Sequence, residues 1–380
     1  MKNSVAIESL RAWMAWWVVI GHAFHLSGAG EFLHPTIAKI IGSFGTPVFV
    51  FIIVSGFVIT NLILMKKEPY GKYITRRALR IYPIYIVCMG ISLIVIDLYT
   101  TAYTSGSWIT ESEMRLGRAI SQNKNFWSHI ILHLTMLHGI LPDTALPFSG
   151  TAFLAPAWSL SLEWQFYLLA PLLVALLSGR TSLMLATTIM LLLLNVVFTQ
   201  GYFGTWLAQS FLPLAIQYFL VGIFSRLILE YRPMTRLPPE LLLMAGITIV
   251  AFAGELAMLV WVLFFTIVLY ELGYIARASK PFSLFARLIA LNPYVSTVGK
   301  WSYSTYLIHI PIFAIVVGGA IKIFGPQSQT NYVVLLALCM PIIFVVSFVL
   351  YRFIETPFID LGRRLTSRAS TTPSLPAVSG

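Results

Sequence analysis

Long apolar runs, separated by short polar segments, recur along the whole chain. A bilayer hydrocarbon core of about 30 Å is crossed by roughly 20 helical residues. The pattern therefore predicts an all-α, polytopic transmembrane helical bundle of about ten spans. The predicted spans are residues 7–27, 38–65, 81–102, 158–177, 182–199, 211–229, 241–254, 256–275, 302–323 and 332–354.

The composition excludes most other classes of protein. Of the 380 residues, 58% are hydrophobic and 10% are charged, whereas a soluble domain carries about 25% charged residues. The net charge of +11 is dispersed between the apolar runs and forms no basic stripe, so nucleic-acid binding is not expected. Cys88 and Cys339 both lie inside apolar stretches, which predicts neither a disulfide nor a thiolate metal site.

Lysine and arginine are distributed unevenly between the two sides of the predicted bundle. Because these residues accumulate in cytoplasmic loops, we expect both termini to be cytoplasmic. Arg11, His22 and bulky tryptophans interrupt the first apolar run, which favours a retained helix over a cleaved signal peptide. We expect a membrane domain over 1–365 and a disordered Ser/Thr/Pro-rich cytoplasmic tail over 366–380. Of the 25 basic residues, 5 fall on the opposite side: Lys39, Arg115, Arg118, Lys124 and Lys322.

One long non-cytoplasmic segment, residues 103–157, separates the third and fourth predicted spans. Its apolar part, 129–141, is too short to cross a bilayer, and we expect it to lie in the interface or to re-enter the membrane. His129 and His133 stand four residues apart and could supply half of a metal site. No third ligand accompanies them, so the sequence predicts no metal.

The first span contains two residues that an apolar helix would not be expected to carry, Arg11 and His22. A charge at mid-bilayer costs at least about 2.5–3.5 kcal/mol on insertion scales, which favours a functional role. Eleven helical residues separate the two side chains by roughly 16 Å and return to nearly the same face. The alternative is that Arg11 is a positive-inside anchor and His22 an interfacial residue.

A basic segment, KYITRRALRIYP at 72–83, precedes the third span. Arg76, Arg77 and Arg80 lie there on the predicted cytoplasmic side. Guanidinium groups bind phosphate in a bidentate manner, so the cluster suits a phosphorylated ligand. A polybasic patch that holds anionic lipid is the alternative.

The fourth span carries Glu163, with Ser159 one turn before it and Tyr167 one turn after it. A buried carboxylate needs a cation or hydrogen bonds to stay charged. Glu163 could therefore orient a histidine, hold an arginine, or stabilise the bundle without any chemistry.

Two other predicted spans contain polar groups. In the ninth span Tyr306 and His309 share a helix face, although His309 could equally be a packing residue. In the second span Ser55 and Gly56 form a small notch, which is more typical of close helix packing than of chemistry.

Five segments, taken together and in order, resemble motifs of the acyltransferase 3 family of integral membrane acyltransferases. They are Arg11 with His22 after a ten-residue gap, and then FVFIIVSGFVIT, RRALRIYPIY, WSLSLEWQFYLLAP and YSTYLIHIPI. The resemblance covers nearly the whole chain. In one place it departs from the family pattern: Thr46-Pro47 stands where the second-helix motif often has an acidic residue.

The resemblance implies a membrane O-acyltransferase that moves an acyl group, most often acetyl, from acyl-CoA to a hydroxyl of a cell-surface or exported glycan or glycolipid. No bound cofactor is expected, because acyl-CoA acts as the donor co-substrate. Some members carry a fused SGNH hydrolase-like domain. The chain ends soon after the tenth predicted span, so we expect its membrane domain to meet the acceptor itself.

For this activity we expect a catalytic set of His22, Glu163 and Arg11, in which His22 acts as general base and Glu163 orients its imidazole. Arg11, nearer the cytoplasmic surface, could join the arginines of 72–83 in holding the phosphates of acyl-CoA. An acyl-histidine relay is left open. The expected substrate-binding residues fall into three groups: Arg76, Arg77 and Arg80 for the phosphates of acyl-CoA; Tyr306 or His309 for the oxyanion; and Ser159 and Tyr167 along the site.

Two other classes of function remain open at this point. The intramembrane Arg, His and Glu could form the proton relay of a transporter or flippase for a lipid or glycan intermediate. A transporter of this kind is typically built from two repeated halves with broken helices at corresponding positions, and no internal repeat is visible in the sequence. The third possibility is a membrane scaffold whose catalytic residues are vestigial.

Overall fold

The computed structural model describes residues 4–109, 112–230, 255–275 and 278–367, and over these ranges the chain is helical, without strands. The helices are α1 (Val5–Ser27), α2 (Pro35–Gly42), α3 (Gly45–Lys66), α4 (Tyr70–Ile94), α5 (Ile96–Thr104), α6 (Ser112–Lys124), α7 (Phe126–Thr135), α8 (Trp158–Leu177), α9 (Thr181–Thr199), α10 (Leu212–Ile228), α11 (Leu256–Glu271), α12 (Lys280–Phe285), α13 (Pro293–Gly299), α14 (Ser302–Phe313), α15 (Gly319–Phe324), α16 (Gln329–Leu350) and α17 (Thr356–Ser367).

Six helical stretches of the described chain are long and apolar enough to cross a membrane, so the all-α membrane bundle is confirmed. The number of ten spans and the cytoplasmic position of the termini stay predictions, and the predicted span 241–254 lies outside the described residues. Two further apolar helices, α10 and α11, are shorter than the six. The six are Gly45–Lys66, Tyr70–Ile94, Ala155–Leu177, Thr181–Thr199, Ser302–Phe324 and Gln329–Ser367.

Three predicted boundaries differ from the structure. The stretch 38–65 is two helices, α2 and α3, which break after Gly42. Pro47, which lacks an N–H, lies in the first turn of α3, where no intrahelical donor is needed. The helix with the arginine segment starts at Tyr70 instead of residue 81, directly after Pro69, and ends before Val95. The predicted tail 366–380 begins inside α17, which continues to Ser367.

The first helix occupies a central position in the bundle. It packs against α3, α13 and α14, and its buried positions include Leu10, Met14 and Val18. Gly299 of α13 lies directly against the α1 backbone at Glu8. Arg11 and His22 are therefore carried by a helix with neighbours on several sides.

Small residues allow α3 and α10 to pack at very short range. A Cβ atom added to Gly56 would stand 2.6 Å from the carbonyl oxygen of Phe219, and one added to Gly222 would stand 2.7 Å from the backbone nitrogen of Phe57. Real Cβ atoms do not come this close to backbone atoms, so both positions need glycine. In the predicted notch at Ser55 and Gly56, the glycine is thus a packing feature.

We expect Gly222→Ala to destabilise the protein by about 1–3 kcal/mol, because its methyl group would push the α3 and α10 backbones apart. Thermal unfolding in detergent would measure this loss. The matched control is Gly90→Ala in α4, where an added Cβ meets nothing within 4 Å. Equal stability of the two variants would contradict the packing argument.

Candidate active site

A cavity with several polar and charged side chains in a mostly apolar lining lies between α1, α3, α4, α8 and α14. We call it the glutamate cavity, after Glu163 on its wall. Three cations share that wall with Glu163, so the lining carries more positive than negative charge. They are Arg11, Arg77 and Arg80.

The carboxylate of Glu163 is held by two hydroxyl groups. Ser55 donates from α3 at 2.9 Å, and Tyr167 donates from one turn further along α8 at 2.5 Å. Charge-assisted hydrogen bonds of this kind stabilise a carboxylate inside an apolar bundle. We expected Glu163 to orient His22. That pairing needs correction, because Glu163 hydrogen-bonds these hydroxyls and His22 lines a different cavity.

The arginine segment divides between two environments. Arg77 and Arg80 line the glutamate cavity, and the Arg77 guanidinium carbon lies 6.0 Å from the centroid of the Tyr167 ring. Arg76 turns away from this cavity and forms an ion pair with Glu68. Of the three arginines expected to bind phosphate, only Arg77 and Arg80 therefore line this cavity, although Arg76 stands one helical turn before Arg80.

Two groups near this cavity were missed by the sequence reasoning. Glu355 is 2% exposed, accepts a hydrogen bond from Ser304 at 3.1 Å, and interacts electrostatically with Arg80. The Tyr303 hydroxyl faces the cavity and has no hydrogen-bond partner in the described part of the chain. The sequence does contain a signal for each of them. Glu355 is an acid at the end of the apolar run of α16, and Tyr303 stands three residues before Tyr306.

A second cavity is lined by residues of α1, α3, α6 and α14 and by the segment that leads into α8. We call it the histidine cavity, because His22 lines it. The His22 ring lies 4.3 Å from the Phe44 ring and 5.2 Å from the His309 ring, between centroids. Two cations on α6, Arg115 and Arg118, line the same space.

The two cavities meet at Tyr306 and Val48, which line both of them. The Tyr306 hydroxyl lies 2.9 Å from the Ser159 hydroxyl and donates to the carbonyl oxygen of Pro156 at 2.9 Å. One aromatic side chain, anchored to the start of α8, thus separates a chamber with Glu163 from a chamber with His22.

The two candidates for oxyanion stabilisation differ in their hydrogen bonding. Tyr306 is engaged at the junction as described. His309 is fully buried, and neither of its ring nitrogens has a partner among the described residues. Its ring contacts are with Tyr306, Phe313 and His22.

Comparison with known proteins shows which family the chain belongs to. The model of a family described as an acyltransferase domain matches residues 4–352. The chain belongs to the acyltransferase 3 family. No solved structure matches the chain significantly.

Curated relatives of this acyltransferase 3 chain come from Staphylococcus aureus. The chain is 25% identical over 360 residues to the O-acetyltransferase OatA of strains NCTC 8325 and COL, covering 82% of this chain and 52% of the relative. It is 26% identical over 365 residues to a protein of strain MRSA252 with a provisional O-acetyltransferase name, covering 85% of this chain and 54% of the relative. The chain thus spans about half the length of these relatives.

Three histidines between α6 and α8 form a separate buried cluster. His133 and His138 stack with ring centroids 3.9 Å apart, and each ring faces a backbone carbonyl, of Ser149 and Ala157 respectively. The third is His129, whose Nε2 lies 3.4 Å from the Ser121 hydroxyl. Within the described ranges no group of three potential ligands is arranged to hold a metal ion. The cluster instead joins α7 to the segment that enters α8.

Burial lowers the pKa of His138 from its ordinary 6.5 to about 4, and burial with the neighbouring His138 lowers that of His133. Between pH 6.5 and about 4 the unfolded chain therefore binds more protons than the folded chain. We expect stability to fall as pH drops through this window, with His138 contributing up to about 3 kcal/mol and His133 acting in the same direction.

Thermal unfolding in detergent as a function of pH would measure this dependence. His138→Gln keeps a donor for the Ala157 carbonyl but cannot be protonated, so its stability should change less between pH 6.5 and 4. The control is His34→Gln, an exposed histidine. A pH profile unchanged by His138→Gln would contradict the assignment.

Proposed function

We propose that this protein moves an acyl group, most simply acetyl, from acyl-CoA to a hydroxyl of a cell-surface or exported glycan, in a bacterial inner or plasma membrane. The observation that carries the proposal is the meeting of two polar cavities at Tyr306 and Val48. A donor in one cavity and an acceptor in the other would bring the two substrates together at that point. Membership of the acyltransferase 3 family and the O-acetyltransferase relatives support the reaction class.

The donor side of the proposal is the glutamate cavity. In the predicted topology, Arg77 and Arg80 lie at its cytoplasmic end, where acyl-CoA is available. Their guanidinium groups suit the phosphates of the nucleotide. The pantetheine arm then passes Glu163, and the thioester comes to rest near Tyr306. The unpartnered Tyr303 hydroxyl is available to donate to the thioester carbonyl oxygen as it gains negative charge.

The acceptor side is the histidine cavity. A glycan hydroxyl enters beside His22, whose neutral imidazole takes the hydroxyl proton as the oxygen attacks the thioester carbonyl. A carbon–oxygen bond forms, the carbon–sulfur bond breaks, and the proton returns to the CoA thiolate. A positioning carboxylate for His22 is not part of this proposal, since Glu163 bonds to Ser55 and Tyr167.

A decisive test supplies labelled acetyl-CoA and candidate glycans to the reconstituted protein. Transfer of label to a glycan is expected. Movement of a lipid or glycan across the vesicle membrane without covalent change would support the transporter alternative. If the protein neither transfers label nor moves a substrate across the membrane, the remaining possibility is a membrane scaffold.

We expect Arg77→Gln and Arg80→Gln each to weaken acetyl-CoA binding by about 10-fold or more, because each removes a charge-assisted contact worth about 1.5–3 kcal/mol. The binding isotherm of acetyl-CoA to purified protein measures this. Arg76→Gln is the matched comparison and should have a much smaller effect, since Arg76 is paired with Glu68 off the cavity wall. If all three variants lost acetyl-CoA affinity equally, a diffuse basic patch would be favoured over a defined phosphate site.

We expect His22→Ala to reduce label transfer by about 10²–10⁴-fold, the usual contribution of a general base. Acetyl-CoA affinity should stay within about twofold, because His22 lines the other cavity. Single-turnover transfer and equilibrium binding separate the two effects. The exposed His34 provides the control His34→Ala, and full transfer by a folded His22→Ala protein would refute the proposed base.

A further inference from the structure

Two arginines of α6 face the histidine cavity from the same side of their helix. Arg115 and Arg118 are three residues apart, the spacing that places side chains on one face, and both line the cavity with His22. The Arg115 guanidinium carbon lies 4.6 Å from the centroid of Tyr103, and that of Arg118 lies 4.5 Å from the centroid of Tyr99. Both guanidinium planes are thus supported by aromatic rings.

Arg118 is the more unusual of the pair. Its side chain is 7% exposed, its Nε has no hydrogen-bond partner in the described chain, and its one recorded hydrogen bond is a long contact of 3.5 Å to the Thr151 carbonyl oxygen. No ion pair joins Arg118 to a carboxylate in the described ranges. A ring face attracts a cation but does not neutralise it.

The charge on Arg118 persists at physiological pH. Burial lowers the pKa of Arg118 to about 10, which leaves the guanidinium protonated at neutral pH. A buried cation without a counter-ion is strongly unfavourable, because its lost hydration is not replaced. An anion that enters the histidine cavity would supply the missing counter-ion.

We propose that the acceptor is an anionic glycan, and that Arg118, with Arg115 beside it, binds its carboxylate or phosphate oxygens next to His22. This inference rests on the proposed function, because it concerns the acceptor of that same site. Arginine suits the task, since its fork of N–H donors matches a carboxylate or phosphate in a bidentate manner. The bound anion would hold the sugar while a neighbouring hydroxyl meets the imidazole.

The test compares matched glycan probes with reconstituted wild-type protein. Oligogalacturonate carries carboxylates, and its methyl ester keeps the free hydroxyls while removing the charge. Phosphorylated and unphosphorylated mannan oligosaccharides form the second pair and distinguish phosphate from carboxylate. Equilibrium binding of each probe, of acetyl-CoA, and transfer of labelled acetyl are measured in parallel.

We expect at least one acidic probe to bind at least 10-fold more tightly than its uncharged partner, and Arg118→Gln to remove that preference. Arg118→Lys keeps the charge without the fork and should retain part of it. The control is Lys124→Gln, at an exposed position of the same helix, which should leave the preference intact. Unchanged acetyl-CoA affinity in each variant would show that the bundle is folded.

Equal binding of charged and uncharged probes, binding of neither, or an acid preference that survives Arg118→Gln would each overturn the inference. Labelled acetyl reaching neutral glycans without any acid preference would overturn it while leaving the proposed function in place. Acid-selective binding that is lost in Arg118→Gln, without label transfer to any glycan, would instead support the anion site and refute the proposed function.

Discussion

A charged side chain inside an apolar bundle must find its partners within the bundle, and this constraint explains where the polar residues of the chain converge. Water is scarce there, so each unpaired charge carries a large desolvation penalty. Glu163 on α8 is held by a hydroxyl from α3, and Glu355, after α16, interacts with Arg80 of α4. Helices far apart in sequence are thereby held around one polar space.

The polar space is divided into two cavities. Tyr306 is anchored to the residues that open α8, by the Ser159 hydroxyl and the Pro156 carbonyl, and with Val48 it stands between the two cavities. Its apolar ring limits the passage of water, while its position lets two ligands approach from opposite sides. An acyl transfer that must avoid hydrolysis of a thioester needs this combination of contact and dryness.

Sequence periodicity could predict the helices and the shared face of Arg11 and His22, because both follow from the repeat of one helix. It could not predict which residues on different helices share a cavity, since that depends on helix depth and tilt. The pairing of His22 with Glu163 failed for this reason. Glu355 was overlooked because the last apolar run was read as ending at residue 354, whereas its helix continues as a π-turn that buries the acid.

The charge on the two cavity walls bears on the proposed reaction, in which both substrates are anionic. The wall of the glutamate cavity has three arginines and one carboxylate. Outside that wall, Glu8 pairs with Arg11 at 3.6 Å and Glu355 interacts with Arg80. The histidine cavity carries Arg118 without a carboxylate partner in the described chain. In the proposed reaction the charge of each ligand stays at the arginines of its own cavity, and only the uncharged acyl group passes Tyr306 and Val48. A neutral group crossing an apolar junction encounters no large desolvation cost, so the wall that separates the substrates need not obstruct the transfer between them.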